Sequence, residues 1–461
     1  MTEREIEIIF TNHRVYFDEG NTKSYAFRKS QLVNLKKAIK KFEPEIIEAL
    51  HADMHKPSFE SFISEIGFLY AEIRHTLSYL EEWMYPESVE TPLALQISSS
   101  TIYADPLGVV LLIGPWNYPF HLLLAPLVGA IAGGNCAVLK PSDNTKHTAK
   151  IVERLVKETF DEKYVSVIQG PGSLVGSMLI EKYRFDHIFF TGSAKVGKQI
   201  MKMASAHLTP VTLELGGKSP AIVDREVNID IAAKRLIWAK CFNAGQTCVA
   251  PDYLLVHESI KDEFVKRMIF YIQLFFGEEP LKSDYLTHIV NTKRFEILAS
   301  YLKGVNILHG GKCNIDTLCF EPTLVDKVPE GHPLMHEEIF GPIFPIFTFK
   351  DLKEIVPIIR KNRYPLACYV FTTSKKTEKF VIENIEFGGG SINNTLAHLA
   401  NPDLPFGGVG HSGMGSYHGK YSFDVFTHKK SVLKSKFFFD PSLRYPPYTK
   451  LKDRLVRYFF R

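Results

Sequence analysis

HIFFTGSAKVGKQIMKMASAHL, residues 187–208, reads as an apolar run, a glycine-containing turn and an amphipathic segment at helical spacing. A strand–turn–helix junction of this kind aims backbone N–H groups and a helix dipole at an anion. Two nucleotide motifs compete for it. Gly192 through Lys198 fits most of a phosphate loop, GxxxxGK, but position 199 is Gln where a Ser or Thr hydroxyl should hold magnesium. The dinucleotide fingerprint GxGxxG is incomplete, with only Gly192 and Gly197 in place. Taken alone, the stretch also fits a plain strand-to-helix turn.

Its neighbours decide the fold class. GVVLLIG, CAVLKPS and VSVIQG precede it, VTLELGG and PAIVD follow, and helical patterns lie between them. Strands without polar alternation are buried on both faces, so the pattern predicts a parallel α/β sheet. A second βα series, with YLLVHE and LACYVFTTS, runs from Asp252 to about Thr373. The first hundred residues read as helices over 32–49 and 59–83, then a polar strand-like stretch, ALQISSSTIYADP. KKSVLKSKFFFDP alternates like an exposed edge strand.

At 461 residues the chain needs two or three substructures. A net charge of +4 is too small for this length to imply a nucleic-acid partner. The start, MTEREIEIIF, lacks the apolar core of a secretory signal. In the most apolar window, residues 108–134, Pro115, Pro119 and Pro126 leave pieces too short to cross a bilayer. A cytoplasmic protein is expected. Its six cysteines form no CxxC pair and no zinc-ligand spacing, so free, packed thiols are the default.

Cys248, in FNAGQTCVAP (242–251), departs from that default. Gly245 suits the left-handed end of a helix, which would put the thiol on a loop. Cys241, seven residues earlier, would lie packed on the helix.

The ordered set PWNYP (115–119), LKPSD (139–143), FTGSAKVG (190–197), LELGGKSP (213–220), FNAGQTC (242–248), EEIFGP (337–342) and PFGGVGHSGMG (405–415) resembles the aldehyde dehydrogenases. The closing segment through THKK and RYPPYT is similar to class 3 members, the group that includes fatty aldehyde dehydrogenase. The resemblance implies two Rossmann-like parallel α/β domains and a small β bridging element, assembled as a homodimer. The expected division is a cofactor domain of residues 1–87 and 107–215, a catalytic domain of 216–414, a bridging element of 88–106 and 415–440, and a basic-aromatic tail of 441–461.

The chemistry it implies needs these residue types. Hydride loss from an aldehyde requires prior addition of a nucleophile, and thiolate serves well. Bringing an ordinary thiol from a pKa of about 8.5 to near 7 takes about 2 kcal/mol. Cys248 matches the family nucleophile, and Asn117, with the Cys248 backbone N–H, the donors that meet the resulting alkoxide. Glu214 matches the base that activates water against the thioester; a carboxyl among apolar residues has its pKa raised toward a useful value. On the cofactor side the resemblance assigns Trp116, Lys140, Ser142, Asp143, Gly192, Ser193, Val196, Gly197, Leu215, Glu338 and Phe340. Asp143 stands where relatives commonly carry Glu, and Ala194 where they often carry Thr. A ribose-binding carboxylate favours NAD, and the shorter Asp leaves NADP tolerated.

Tyr118, Phe120, Leu122, Tyr417 and Phe423 are expected to wall an apolar funnel, with His411 and His418 as pocket or packing residues. No metal is expected. The tail from His428 interleaves Lys and Arg with Phe, Tyr and Leu, a pattern that suits weak contact with an anionic membrane, a dimer partner or a pocket gate. Three rival readings are a CoA-acylating dehydrogenase, opposed by Glu214; a phosphate-loop nucleotidase, opposed by Gln199; and a catalytically silent thiol sensor or scaffold, opposed by the complete set Asn117, Glu214 and Cys248.

Overall fold

The computed structural model describes residues 2–95, 97–438 and 440–460. Gln96, in the expected bridging element, Phe439 and Arg461 lie outside them. The parallel sheet expected around residue 187 is present with six strands, in the order Gly413–Met414, Val211–Glu214, His187–Thr191, Val109–Ile113, Cys136–Lys140, Val165–Val167. All neighbours are parallel except the short Gly413–Met414 strand. Four of the six strands are almost wholly buried runs of apolar residues, as expected where helices cover both faces. One of those helices, His121–Gly133, is buried along its whole length, which accounts for the apolar window without a bilayer. Among the described residues no helix is long and apolar enough to cross a membrane.

A second sheet orders Asn306–His309, Thr323–Asp326, Ile343–Phe349, Tyr253–His257, Pro220–Val223, Ala367–Phe371 and Gly389–Ile392, parallel apart from its first pair. The third is antiparallel: Glu87–Val89, Ser99–Pro106 and Thr427–Lys434, with the last strand almost fully exposed at the edge. The N-terminal helices are longer than their periodicity suggested. Tyr25–Met54 is one helix through Pro44, and Ser58–Met84 is helical throughout, with a π-helical turn at Phe62–Ile66.

Near residue 414 the hydrogen bonding parts the chain differently from the expected boundaries. Gly413 pairs with Glu214 in the first sheet, and the helix Lys420–Val425 lies on His121–Gly133, where a Cβ on Gly129 would come within 2.9 Å of Ser422 Cβ. The closing glycine segment therefore returns to the first sheet and brings its own strand beside Glu214.

Candidate functional site

The loop that carries Cys248 begins earlier than expected. The helix Ile229–Cys241, N-capped by Asn228, stops at Cys241 rather than near Gly245. Asn243, Ala244 and Gly245 then turn left-handed, with φ of 54°, 52° and 72°. Only the third is glycine, and there a Cβ would sit 2.4 Å from the Gly341 carbonyl oxygen. Asn243 holds its strained conformation through side-chain bonds, as Asn often does. Its backbone N–H donates to Glu60 at 3.0 Å, and its Nδ2 donates to the carbonyls of Asn117 (2.9 Å) and Gln246 (3.0 Å). Gln246, fully buried, donates to the carbonyls of Asn243 and His288 and accepts from the Val290 N–H. This bracing delivers Cys248 on a short turn while Cys241 stays packed in the core.

Cys248 is partly exposed and lines two cavities at once. On one side is an apolar chamber of about 320 Å³, walled by Tyr118, Leu122, Trp238, Phe242, Leu399 and Tyr417 among others. On the other is a more polar cleft of about 220 Å³ that contains Trp116, Asn117, Gly192, Ser193, Glu214 and Glu338. Burial pushes the thiol up to about 12, and the Glu338 and Glu214 carboxylates push in the same direction. The backbone N–H groups of Val249 and Cys248 pull it back only in part. Burial dominates, so the surrounding protein groups do not bring this thiol down toward the neutral range, and a positive charge in the cleft would favour its thiolate.

Glu214 ends the strand Val211–Glu214 and is 2 % exposed. Neither of its carboxyl oxygens has a hydrogen-bond partner, and burial raises its pKa well above the ordinary carboxyl value. Asn117, 3 % exposed, donates one amide hydrogen to the Gln246 carbonyl at 3.0 Å. A primary amide carries two N–H donors, so one is left for the cleft. The three residues expected to do the chemistry thus line one cavity.

The cofactor residues divide into two groups. Trp116, Gly192, Ser193, Leu215, Glu338 and Phe340 line the cleft. Lys140, Ser142, Asp143, Val196 and Gly197 lie outside that lining. Trp116 and Phe340 meet edge to face, with centroids 5.3 Å apart, and Phe340 is itself left-handed at φ 47°. Glu338 accepts the Gly217 N–H at 3.1 Å; burial and then Asp252 raise it to about 8. Ser193 caps the helix Ala194–Ala204 through the Val196 N–H, and Val196 itself is exposed. Lys140 is buried with its Nζ on the Pro141 carbonyl; burial lowers its pKa, and the exposed Asp143 offsets only part of that. The close approaches at Gly192 and Gly197 have an internal cause: a Cβ there would strike Phe190 and Leu215. The Trp116–Phe340 aromatic pair on the cleft wall, a capped helix start and a buried lysine together fit a dinucleotide.

The expected funnel is corrected in three places. Phe120 and Phe423 are fully buried core residues and do not line the chamber. His411 sits exposed on the turn Gly410–Ser412, which is closed by hydrogen bonds between the Ser412 hydroxyl and the Val409 backbone. His418 takes the expected place: it lines the chamber, buried at φ 80°, with its ring stacked on Phe406. Trp238, Phe242 and the 394–400 loop also wall the chamber and were not anticipated. Trp238 follows the helical repeat of Ile229–Cys241, but nothing in the spacing says that its exposed face borders a cavity. Among the described residues no cluster of His, Cys, Asp and Glu could hold a metal ion.

Comparison with known proteins gives the family and the fold. The model described as "Aldehyde dehydrogenase family" matches residues 1–432. The chain is 45 % identical to 4,4'-diaponeurosporen-aldehyde dehydrogenase of Staphylococcus aureus (strain NCTC 8325 / PS 47) over 458 residues, 99 % of each chain. It is 40 % identical to the dimeric NADP-preferring aldehyde dehydrogenase of Canis lupus familiaris, covering 96 % of this chain and 98 % of that one. A solved structure of the substrate-bound state of Staphylococcus aureus AldH superposes with a TM-score of 0.96 at 46 % identity, covering 99 % of both chains.

Proposed function

Since the chain belongs to the aldehyde dehydrogenase family and is an oxidoreductase acting on aldehydes with NAD(P), we propose that it oxidises medium-chain, long-chain or otherwise apolar aldehydes to carboxylic acids through a covalent bond to Cys248. One observation carries the reading: the Cys248 thiol lines both an apolar chamber and a polar cleft, and the cleft also contains Glu214 and Asn117.

The alkyl or aryl body of the aldehyde occupies the chamber, where burial of apolar surface drives binding. The sulfur of Cys248 adds to the carbonyl carbon, and the oxygen becomes an alkoxide. The free Asn117 amide hydrogen and the Cys248 backbone N–H donate to that oxygen, an arrangement typically worth about 3–4 kcal/mol per donor in the transition state. Trp116, Glu338 and Phe340 would hold the nicotinamide end of the cofactor, with Leu215 beside them, and Ser193, Lys140, Ser142 and Asp143 the rest. When bound, the oxidised dinucleotide supplies a cationic ring that favours the thiolate and an acceptor for the hydride. The acyl group is then a thioester on Cys248. In its ionised form Glu214 takes a proton from water as the water oxygen attacks this thioester, and the departing sulfur recovers a proton. The carboxyl oxygens of Glu214 have no protein partner to satisfy first, which suits them to hold a water.

The reading extends to NAD as cofactor with NADP accepted, supported by the exposed, short side chain of Asp143 and by the NADP preference in the canine relative's name. It includes a homodimer built on the open edge strand Thr427–Lys434; the same relative is named dimeric. It keeps the division into cofactor, catalytic and bridging regions, in a reducing cytoplasmic setting. Weak contact of the tail with an anionic membrane belongs to it as well: Phe437, Phe438, Tyr448, Leu451 and Tyr458 are exposed amid basic residues.

The deciding experiment is to quench turnover of an apolar aldehyde and locate the acyl group by peptide mass spectrometry. It is expected on Cys248 and absent from Cys248→Ser; an acyl group elsewhere would overturn the reading. NADH release that required CoA would replace water as the acyl acceptor.

A further inference from the structure

We propose that the buried ion pair Lys56–Glu65 positions Asn117, and so sets the oxyanion donor from the N-terminal helical region; this rests on the reading of Asn117 given above. Lys56 follows the left-handed C-cap His55 of the helix Tyr25–Met54, and Glu65 sits in the π-helical turn Phe62–Ile66. Both side chains are completely buried, with Lys56 Nζ 2.5 Å from Glu65 Oε1. π-Turns of this kind recur at functional sites.

The pair grips the 117–121 segment at both ends. Lys56 Nζ donates to the Asn117 carbonyl at 3.2 Å and lies 4.5 Å from the centroid of the Tyr118 ring. Glu65 Oε2 accepts the N–H groups of Phe120 and His121, each at 3.0 Å. Pro119, between them, has no N–H to offer. Residues 115–120 belong to no helix or strand, so no regular hydrogen-bond ladder holds Asn117 in place. Lys56 and Asn243 converge on the same Asn117 carbonyl, while the Asn117 amide reaches Gln246 in the nucleophile loop. Tyr118 closes the bracket with its hydroxyl 2.6 Å from Thr247 Oγ1, one residue before the nucleophile.

A buried ion pair is a poor source of stability, since desolvating both charges offsets most of their attraction. Its value here is geometric. The pair anchors the segment that carries the amide donor, and Asn243, Asn117 and Tyr118 tie that segment to the turn that carries the sulfur. Lys56 and Glu65 touch neither substrate nor cofactor cavity, so they are positioning residues.

The test is a double-mutant cycle with Asn117→Ala. Lys56→Met and Glu65→Gln are each expected to lower kcat roughly tenfold to a hundredfold, no more than the roughly 10²–10³-fold that one oxyanion donor supplies. The KM for aldehyde and the affinity for NADH should change by less than about threefold, because binding surfaces are left intact. In the Asn117→Ala background the same substitutions should change kcat by less than about twofold. Lys56→Arg, which keeps the charge, should recover part of the loss. If Lys56→Met does not fold, Glu65→Gln, an uncharged near-isostere, runs the cycle alone. Losses that add in full to that of Asn117→Ala would overturn the proposal, as would unchanged kcat in both single variants. An Asn117→Ala enzyme with wild-type kcat would instead remove the oxyanion reading beneath it.

Discussion

Leu399 borders the apolar chamber, and replacing it with asparagine places an amide where an alkyl chain would lie. Each methylene of substrate moved from water into such a chamber contributes about 0.8 kcal/mol, close to a fourfold gain in kcat/KM. Four added methylenes should therefore raise kcat/KM by more than about a hundredfold in the wild type, mostly through KM, because binding of the chain is equal in ground and transition states. With Leu399→Asn, a long chain must strip water from an amide set in a chamber lined mainly by apolar side chains such as Phe68, Leu122 and Phe406. That costs about 1–3 kcal/mol, or roughly fivefold to 150-fold. A short aldehyde reaches only as far as Cys248 and should lose almost nothing. The assay is the initial rate of NADH formation over a series of linear aldehydes, with melting temperature as the control for folding. Loss of the same factor at every chain length, or a wild-type kcat/KM that stays flat along the series, would refute the assignment of this chamber to the substrate chain.

Four further outcomes follow from the site. Cys248→Ala should lower turnover by about three orders of magnitude or more, since no other group can form the covalent intermediate; residual NADH formation at wild-type rate would contradict it. Glu214→Gln should still release a burst of NADH and then turn over about 10²–10⁴-fold more slowly, the contribution of a general base, as rapid-mixing absorbance will show. Glu72, buried and held at about 7 against an ordinary 4.5, keeps its proton when folded but releases it when unfolded. Its contribution to stability is thus fully present below about 4.5 and is lost as pH rises toward about 7 and beyond, so Glu72→Gln should flatten this part of the Tm–pH profile. Asp143→Ala should raise kcat/KM for NADP relative to NAD by about fivefold, the roughly 1 kcal/mol that an exposed like-charge contact is worth; an unchanged ratio would dissociate Asp143 from the ribose site.

Much of this was legible in the chain because its signals are local. Buried strands such as Val109–Ile113 and His187–Thr191 announce themselves as unbroken apolar runs, and the reactive cysteine, glutamate and asparagine lie in short ordered motifs. The missing parts depend on partners distant in sequence. Nothing before Gly413 or after Met414 marks two residues as a strand; only the exposed edge of Val211–Glu214 makes them one. The left-handed turn at Asn243 and Ala244 needs Glu60 and Asn117 to hold it, so a rule that awards such conformations to glycine placed the helix end four residues late. His411 and His418 are indistinguishable by type, and only the packed surroundings separate them: His418 stacks on Phe406 in the chamber wall while His411 lies exposed. Lys56 and Glu65 look like surface charges until both ends of the 115–121 loop are seen to rest on them.

A sulfur atom with a door on each side has a practical corollary. On the proposed reading the aldehyde occupies one cavity and the nucleotide the other, so each meets the sulfur against its own set of lining residues. A reactive probe with a greasy tail could accordingly seal one door while the other still admits a nucleotide.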